Sequence, residues 1–278
     1  MKLIRHGASG CEKPGAIDSQ GQARDLSDLV PDFTPEWMAP GRLAALAAVD
    51  LQRLPLVAQG SRLGPPVAGT RQFVAIGLNY RRHAEESGLD IPKEPVVFHK
   101  ALSSLAGPDD EVRLPEASVA TDWEIELGFV IGTRASRIPV EGALAHVAGY
   151  LLANDISERD WQIKRNGQWG KGKSFDGFGP VGPWLVTADE LPDPQAIELT
   201  LSVNGEVMQR SSTADMIFPV ACLVSYLSQF MTLLPGDLVI TGTPEGVGLG
   251  MKPPRFLKSG DVMTLDGGVL GRQLQRVR

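Results

Sequence analysis

Short apolar runs, separated by glycine, proline and polar turns, dominate the hydrophobic pattern of this chain. Phe73–Gly77 and Asp237–Thr241 have the length and composition of buried strands. Trp123–Gly132 first alternates charged with apolar residues and then becomes fully apolar, which is typical of a strand that begins at an edge or cavity and runs into a core. The Asn-Gly dipeptide within Leu199–Met208 predicts a tight hairpin.

Helical segments are fewer than strands. Tyr80–Ser87 and the polar segment Asp155–Gln168 are predicted to be helical, and Phe218–Leu234 predicts a longer amphipathic helix. The strands do not alternate with helices at the spacing of βαβ units, which argues against a doubly wound parallel sheet. The pattern therefore predicts a β-rich α+β fold built on a large mixed sheet.

The chain divides near residue 66. The opening segment predicts a strand from Leu3 and a hairpin over Ala16–Ala23. Gly60–Pro66 then interrupts the periodicity with glycine and proline, as a linker would. We therefore expect a small β-containing N-terminal domain over residues 1–66 and a catalytic domain over residues 67–278.

Composition and charge narrow the class of protein. The 278 residues are 42% hydrophobic and 22% charged, which are the values of an ordinary folded protein. Lys and Arg number 27 against 33 Asp and Glu, and this net charge of −6 argues against a broad nucleic-acid surface. Two cysteines cannot form a disulfide framework, and no apolar segment resembles a membrane span or a signal peptide. We expect a cytoplasmic protein that binds neither nucleic acid nor membranes.

Three acidic residues form the first candidate site. Glu124 and Glu126 lie two apart on one predicted strand and so share a face, where two like charges repel each other unless a cation offsets them. Asp155 follows another apolar run, Val147–Asn154. Three carboxylates suit Mg²⁺ or Mn²⁺. The alternatives are a solvated acidic strand face, and a helix cap in which Asp155 pairs with Arg159.

Basic groups form further candidates. His83 and Glu86 are three apart on a predicted helix, where the carboxylate can orient the imidazole as a general base, although scattered surface charge is the alternative. Arg159 and Gln162 share a helical face with Asp155 if the segment is helical. Lys173 lies in the glycine-rich segment Gly170–Pro180 and either faces an anion or belongs to a basic loop.

Leu3–Gly7 resembles the Arg-His motif of histidine phosphatases. A match over five residues arises easily by chance, and the other histidines lack the sequence context that such a site needs. We therefore do not expect a phosphatase.

The ordered combination of motifs resembles the fumarylacetoacetate hydrolase family. The matching segments are Gly77-Leu78-Asn79-Tyr80 with His83 and Glu86, Phe98-His99-Lys100, Asp122–Leu127, Asn154–Asp160, Lys171–Asp176 and Thr241–Pro244. The N-terminal module and the Gly246–Pro254 segment resemble the sugar-acid branch, which includes 2,4-diketo-3-deoxy-L-rhamnonate hydrolases and relatives labelled ureidoglycolate lyase.

The resemblance implies a fold, an activity and an assembly. The fold would be the mixed β-roll of fumarylacetoacetate hydrolase C-terminal domains, in a homodimer or higher homo-oligomer. The activity would be Mg²⁺- or Mn²⁺-dependent hydrolysis of a C–C bond in a 2,4-diketo acid. A 2,4-diketo-3-deoxy sugar acid would give pyruvate and a short hydroxy acid such as lactate.

The resemblance also assigns roles to residues. It places the metal at Glu124, Glu126 and Asp155, and the catalytic groups at His83, Glu86 and Lys173. His83, oriented by Glu86, would activate water. Lys173 would balance charge on the substrate oxygen. The implied substrate-binding residues are Tyr80, Lys100, Arg159, Gln162 and Thr243, with Thr243 donating to the substrate carboxylate.

Two other functions fit the same residues. Decarboxylation of a 2-oxo acid or keto–enol isomerisation would need the metal but no attacking water. A non-catalytic protein with a structural cation site would need the three acids and no base.

Overall fold

The computed structural model describes all residues from 1 to 278, and it is built mainly from strands. The strands are Lys2–His6 (β1), Lys13–Ile17 (β2), Ala23–Asp25 (β3), Leu63–Gly64 (β4), Phe73–Gly77 (β5), Val96–His99 (β6), Leu105–Ala106 (β7), Thr121–Asp122 (β8), Ile125–Ile131 (β9), Val147–Asn154 (β10), Ser157–Glu158 (β11), Gly179–Pro180 (β12), Leu185–Thr187 (β13), Glu198–Val203 (β14), Glu206–Ser212 (β15), Leu238–Ile240 (β16), Val262–Asp266 (β17) and Arg272–Arg276 (β18). The α-helices are Pro40–Ala47 (α1), Arg81–Ser87 (α2), Arg159–Ile163 (α3), Gly170–Lys173 (α4) and Val220–Phe230 (α5). Short 3₁₀ turns connect several of these elements. The predicted β-rich α+β class is confirmed.

One large mixed sheet organises the molecule. Its strand order is β3-β2-β1-β13-β10-β9-β16-β5-β6, with β4 also paired to β1. β9 pairs antiparallel with both β10 and β16, whereas β16 pairs parallel with β5. The two long central strands, β9 and β10, are buried along their whole length. They therefore form the rigid base on which a site can be built.

The sheet is covered on both faces, which explains why its central strands read as continuous apolar runs. Ile125, Leu127 and Phe129 of β9 pack into one core cluster, whereas Val130 packs into the other. Successive residues of a strand point to opposite faces. Glu126 therefore faces the same side as Val130, at the end of the strand where the apolar core gives way to polar groups.

The strands of the N-terminal segment extend the same sheet. β1 pairs antiparallel with β13, and β2 with β1, so the sheet runs across the predicted boundary at residue 66. The division into an N-terminal domain over residues 1–66 and a catalytic domain over residues 67–278 stays a prediction, and hydrogen bonds join the two parts into one sheet.

A smaller sheet of order β15-β14-β17-β18 lies beside the large one. The hairpin predicted at its edge is confirmed. Asn204 and Gly205 both have positive φ, 53° and 81°, as a two-residue hairpin turn requires. Gln209 of β15 is buried and reaches from this sheet to the end of β9.

Helix predictions were correct for α2 and α5 and wrong for Asp155–Gln168. The segment after β10 remains extended through β11, and the helix spans only Arg159–Ile163. The backbone N–H of Asp155 donates to the carbonyl of Glu124 at 2.8 Å, so strand pairing continues past the end of β10 and prevents an earlier helix start. None of the helices has the length and apolar character needed to span a membrane.

Candidate active site

Strand register brings the three predicted acids together. Ala153 of β10 lies opposite Glu126, and Asn154 lies opposite Ile125, so Asp155 comes opposite Glu124. Residues that face each other across an antiparallel pair project from the same side of the sheet. The side chains of Glu124, Glu126 and Asp155 therefore meet, and one carboxylate oxygen from each lies within 4.8 Å of the other two. All three side chains are buried.

Buried cations surround two of these carboxylates. The Lys173 ammonium lies 2.5 Å from Oε2 of Glu124 and 2.6 Å from Oδ2 of Asp155. Arg159 Nη1 lies 2.7 Å from Oε1 of Glu124, and Lys100 Nζ lies 2.6 Å from Oδ1 of Asp155. Glu126 has no such partner, and its Oε2 accepts only the backbone N–H of Gly242.

The pKa values follow this division. Burial alone would raise the pKa of Glu124, but Lys173 and Arg159 lower it to about 2. Burial, together with the charges of Asp155 and Glu124, raises the pKa of Glu126 well above its usual value. Burial would lower the pKa of Lys173, but Asp155 and Glu124 raise it. Glu126 is thus the one ligand candidate whose charge the protein itself leaves uncompensated.

A divalent cation fits this set of residues. Hard oxygen donors are what Mg²⁺ and Mn²⁺ prefer. Burial and the charges of Asp155 and Glu124 raise the pKa of Glu126, and a cation between the three carboxylates would offset the repulsion among them. Because Lys173 contacts two of the same carboxylates, the ion and the ammonium would compete for these oxygens.

Asp122 fixes the position of Arg159. Its Oδ2 accepts from Arg159 Nε at 2.8 Å, and its two oxygens accept the backbone N–H groups of Gly248 and Leu249 at 2.7 and 3.0 Å. The alternative in which Asp155 caps a helix and pairs with Arg159 is therefore wrong, because Asp155 lies in extended backbone and its carboxylate pairs with two lysines. Arg159 instead bridges Asp122 and Glu124.

The predicted histidine–carboxylate pair is present on α2. Nδ1 of His83 lies 3.4 Å from Oε2 of Glu86. Glu86 also accepts the backbone N–H of Gly246 at 3.1 Å, which fixes the carboxylate to the glycine-rich segment after β16. A tautomer with hydrogen on Nδ1 donates to Glu86 and leaves Nε2 free to accept a proton.

A cavity of about 470 Å³ connects these groups. The polar side chains assigned above that line it are His83, Glu86, Glu124, Glu126, Arg159, Gln162, Lys173 and Thr243. Arg159 Nη1 also donates to Gln162 Oε1 at 3.0 Å, so these two side chains are held together at the wall. One continuous space therefore reaches both the carboxylate cluster and a histidine that can act as a base.

The match with known proteins now decides the family. The sequence model described as fumarylacetoacetate (FAA) hydrolase C-terminal matches residues 72–278. The chain belongs to the fumarylacetoacetate hydrolase family. This is a family of hydrolases that commonly use divalent metals, and the structural neighbours of this chain include isomerases as well.

Individual members of the fumarylacetoacetate hydrolase family match over the full length. A protein of Burkholderia orbicola (strain MC0-3), named only provisionally as a hydrolase, is 54% identical over 279 residues and covers 100% of this chain and 99% of its own. Fumarylacetoacetate hydrolase from Exiguobacterium antarcticum is 35% identical, with a TM-score of 0.89 and coverage of 100% and 99% of the two chains. A 5-carboxymethyl-2-hydroxymuconate delta-isomerase from Mycobacterium smegmatis is 32% identical, with a TM-score of 0.77 and coverage of 100% and 98%.

Three residues expected to bind substrate do not have that geometry. Tyr80 is fully buried in the core, and its hydroxyl has no hydrogen-bond partner and does not line the cavity. Lys100 lies behind Asp155 and also donates to the backbone carbonyl of Lys173. Thr243 lines the cavity, but its hydroxyl hydrogen is used on the carbonyl of Ile125 at 2.9 Å, so it is not free for a substrate carboxylate.

The other predicted residues lie in the cavity lining or, for Asp155, beside it, and their roles stay predictions; several neighbouring residues were missed. Asp122 and Gln209 do not line the cavity, but they form hydrogen bonds to Arg159 and Thr243, which do. Gln209 accepts from the Ile125 N–H at 3.0 Å and donates to Thr243 at 2.8 Å. Phe98 and Trp169 line the cavity directly. Asp122 and Gln209 each share a strand with a second buried polar residue, Thr121 and Ser211 respectively, so no local pattern singles them out.

The Arg-His pair near the N-terminus lies outside this site. Arg5 forms an ion pair with Asp32 at 2.7 Å, and His6 lies 3.8 Å from Asp25. Neither residue lines the cavity. Both residues belong to β1, where they lie opposite residues of β2 and β4.

Proposed function

We propose that the protein is a metal-dependent hydrolase that cleaves a C–C bond in a 2,4-diketo acid and releases pyruvate. The observation that carries the proposal is one cavity lined both by Glu124 and Glu126, two of the three converging carboxylates, and by the His83–Glu86 pair. Neither feature alone requires hydrolysis. Together they supply a site for a chelating 2-oxo acid and a base for water.

The acidic end of the cavity supports recognition of the 2-oxo acid. Glu124, Glu126 and Asp155 would hold the cation, which when bound supplies a Lewis acid for this end of the substrate. Lys173, Arg159 and Gln162 line the same end and offer N–H donors to substrate oxygens. Asp122 keeps the Arg159 guanidinium in place while those bonds form.

His83 and Glu86 support the hydrolytic step. Nε2 of His83 accepts a proton from water, and the resulting hydroxide adds to the C4 carbonyl. The C3–C4 bond then breaks, its electron pair goes to C3 as the enolate of pyruvate, and the acyl fragment leaves as a carboxylic acid. Protonation at C3 gives pyruvate, so one water is consumed and no oxidant is needed. Lys173 stabilises negative charge on the substrate oxygen.

Keto–enol isomerisation is the second candidate, and the similarity to a delta-isomerase favours it. Decarboxylation of a 2-oxo acid would use the same acidic end. Neither reaction needs a base that activates water: isomerisation would use the His83–Glu86 pair only to move a proton, and decarboxylation would leave the pair without a role. If the cation site were purely structural, the whole cavity would have no role. We therefore propose an enzyme.

In the direct test, purified protein is incubated with 2,4-dioxopentanoate in the presence of Mg²⁺, Mn²⁺ or chelator. We expect loss of the enol absorbance together with one pyruvate for each substrate consumed. Loss of absorbance without pyruvate would indicate isomerisation, and carbon dioxide release would indicate decarboxylation; either result would overturn the proposal. The small-molecule substrate and a homodimeric or higher homo-oligomeric state belong to the same proposal.

A further inference from the structure

One wall of the cavity carries apolar side chains that the proposed reaction does not use. Beyond the eight polar groups already assigned, only Ser87 and Lys252 contribute polar side chains to the lining. The wall itself is formed by side chains that include Leu78, Phe98, Ile163, Trp169, Leu249 and Met251. Whatever part of the substrate extends past the carboxylate cluster therefore meets mainly hydrocarbon.

Phe98 and Trp169 are the two aromatic side chains of this apolar wall, and they contact each other. Their ring centroids are 5.6 Å apart at an interplanar angle of 63°, an edge-to-face contact. Gly77, the last residue of β5, makes room for the indole. A Cβ at Gly77 would lie 2.3 Å from Cζ3 of Trp169, so any other residue there would push the ring away. Three separate segments thus hold the two rings in place.

The aromatic wall begins next to the reacting groups. Trp169 and Lys173 are four residues apart on one helical turn, and Trp169 has helical backbone angles, so both side chains project from the same face. Lys173 Nζ lies 5.4 Å from the centroid of Phe98. Gly172 lets this turn pack closely on α3, because a Cβ there would lie 2.4 Å from the carbonyl oxygen of Glu158.

We propose that the substituent on the C4 carbonyl of the substrate is apolar, an alkyl or aryl group, and that Phe98 and Trp169 select it. This inference rests on the proposed diketo acid hydrolysis. The acidic end of the cavity takes the polar 2-oxo acid, so the substituent is the part left to contact the wall. A hydroxylated chain of the sugar-acid type would exchange water for hydrocarbon and leave its hydroxyls without partners. An alkyl chain would instead bury its apolar surface against the wall, which favours binding.

The experiment compares two 2,4-dioxo acids that differ only in the tail. One is 2,4-dioxoheptanoate, and the other is 5,6-dihydroxy-2,4-dioxohexanoate, both assayed by pyruvate release with Mg²⁺. Each buried methylene favours binding by about fourfold, so we expect kcat/KM for the propyl tail to be at least about tenfold higher. Trp169→Ala and Phe98→Ser should each reduce that ratio several-fold. Trp161→Ala, on α3 but outside the cavity lining, should leave the ratio unchanged.

The possible results are distinguishable. A higher kcat/KM for the dihydroxylated acid, or equal values, would overturn the inference while leaving diketo acid hydrolysis intact. An unchanged ratio in both aromatic variants would overturn the assignment of Phe98 and Trp169. Failure to release pyruvate from either acid or from 2,4-dioxopentanoate would overturn the proposed function, and the inference with it.

Discussion

The ammonium group of Lys173 lies 2.6 Å from Oδ2 of Asp155, inside the cluster of carboxylates proposed to bind a metal. It also contacts Glu124, so one protein cation holds two of the three ligand candidates. The three acids would repel one another in the buried site without it. Lys173 therefore acts as a counter-ion whose contacts a divalent ion must share or replace.

Replacing Lys173 by methionine should accordingly strengthen metal binding. We expect Mg²⁺ or Mn²⁺ to bind Lys173→Met about tenfold more tightly, a difference of roughly 1.4 kcal/mol, because no ammonium competes for the oxygens. Turnover should fall, since a donor to the substrate is lost. Titration calorimetry measures the affinity, and Lys171→Met, which alters an exposed lysine on the same helix, is the control. Weaker binding by Lys173→Met would show that the lysine supports the metal.

Glu126 should make the metal-free protein less stable as the pH rises. Its pKa is raised in the folded protein by burial and by Asp155 and Glu124. Between the unfolded and folded pKa values the native state binds more protons than the unfolded state, so the free energy of unfolding decreases as the pH increases through that range. Glu126→Gln removes the charge and should remove this contribution.

The contribution of the Glu126 charge is measured as the difference in melting temperature between wild type and Glu126→Gln, both in chelator. At pH 8 the variant should melt at least about 2 °C above wild type, and the gap should narrow towards pH 5. Adding Mg²⁺ should raise the melting temperature of wild type and not of the variant. A variant that is less stable than metal-free wild type at pH 8 would contradict this account.

His83 should matter for hydrolysis and much less for enolisation. General base catalysis contributes roughly 10²- to 10⁴-fold, so His83→Gln should reduce kcat for pyruvate release by that factor. Exchange of the C3 protons of the substrate, followed by NMR in D₂O, needs only the acidic end and should persist. Equal loss of both activities would assign His83 to the enolisation step. His99→Gln, outside the cavity lining, serves as the control.

Asp122 should act on substrate binding through Arg159 and the segment around Gly248. Asp122→Asn keeps the shape but removes the charge that the buried guanidinium contacts at 2.7 Å. Disrupting such a buried pair costs about 3 kcal/mol of stability, and we expect KM to rise more than kcat falls. Asp160→Asn, next to Arg159 on α3 and more exposed, is the matched control. Unchanged KM with reduced kcat would contradict a positioning role.

Much of the fold and the acid cluster could be predicted because they depend on local pattern. Alternation along Trp123–Gly132 placed Glu124 and Glu126 on one face, and Asn204-Gly205 specified its hairpin. The partnership with Asp155 depends on the antiparallel register of β9 and β10, which no local pattern encodes. The helix predicted from Asp155 was wrong for the same reason, because a long-range backbone hydrogen bond to Glu124 keeps that residue extended.

Side-chain direction was the other limit of prediction. Tyr80 and Lys100 lie two residues after Leu78 and Phe98, which line the cavity, yet neither lines it, and sequence spacing does not decide which side chains face a cavity. The contact of Trp169 with Gly77 joins segments about ninety residues apart in the sequence and depends on the absence of a side chain. Such a feature becomes visible only when the packing is known.

The central claim is that Glu124, Glu126 and Asp155 hold a divalent ion that C–C bond cleavage requires. The most direct measurement is pyruvate release from 2,4-dioxopentanoate by protein stripped with chelator, before and after Mg²⁺ or Mn²⁺ is restored, in wild type and Glu126→Gln. We predict no release without metal, full recovery in wild type and no recovery in the variant. Undiminished release by stripped wild type, or by the variant, would contradict the account.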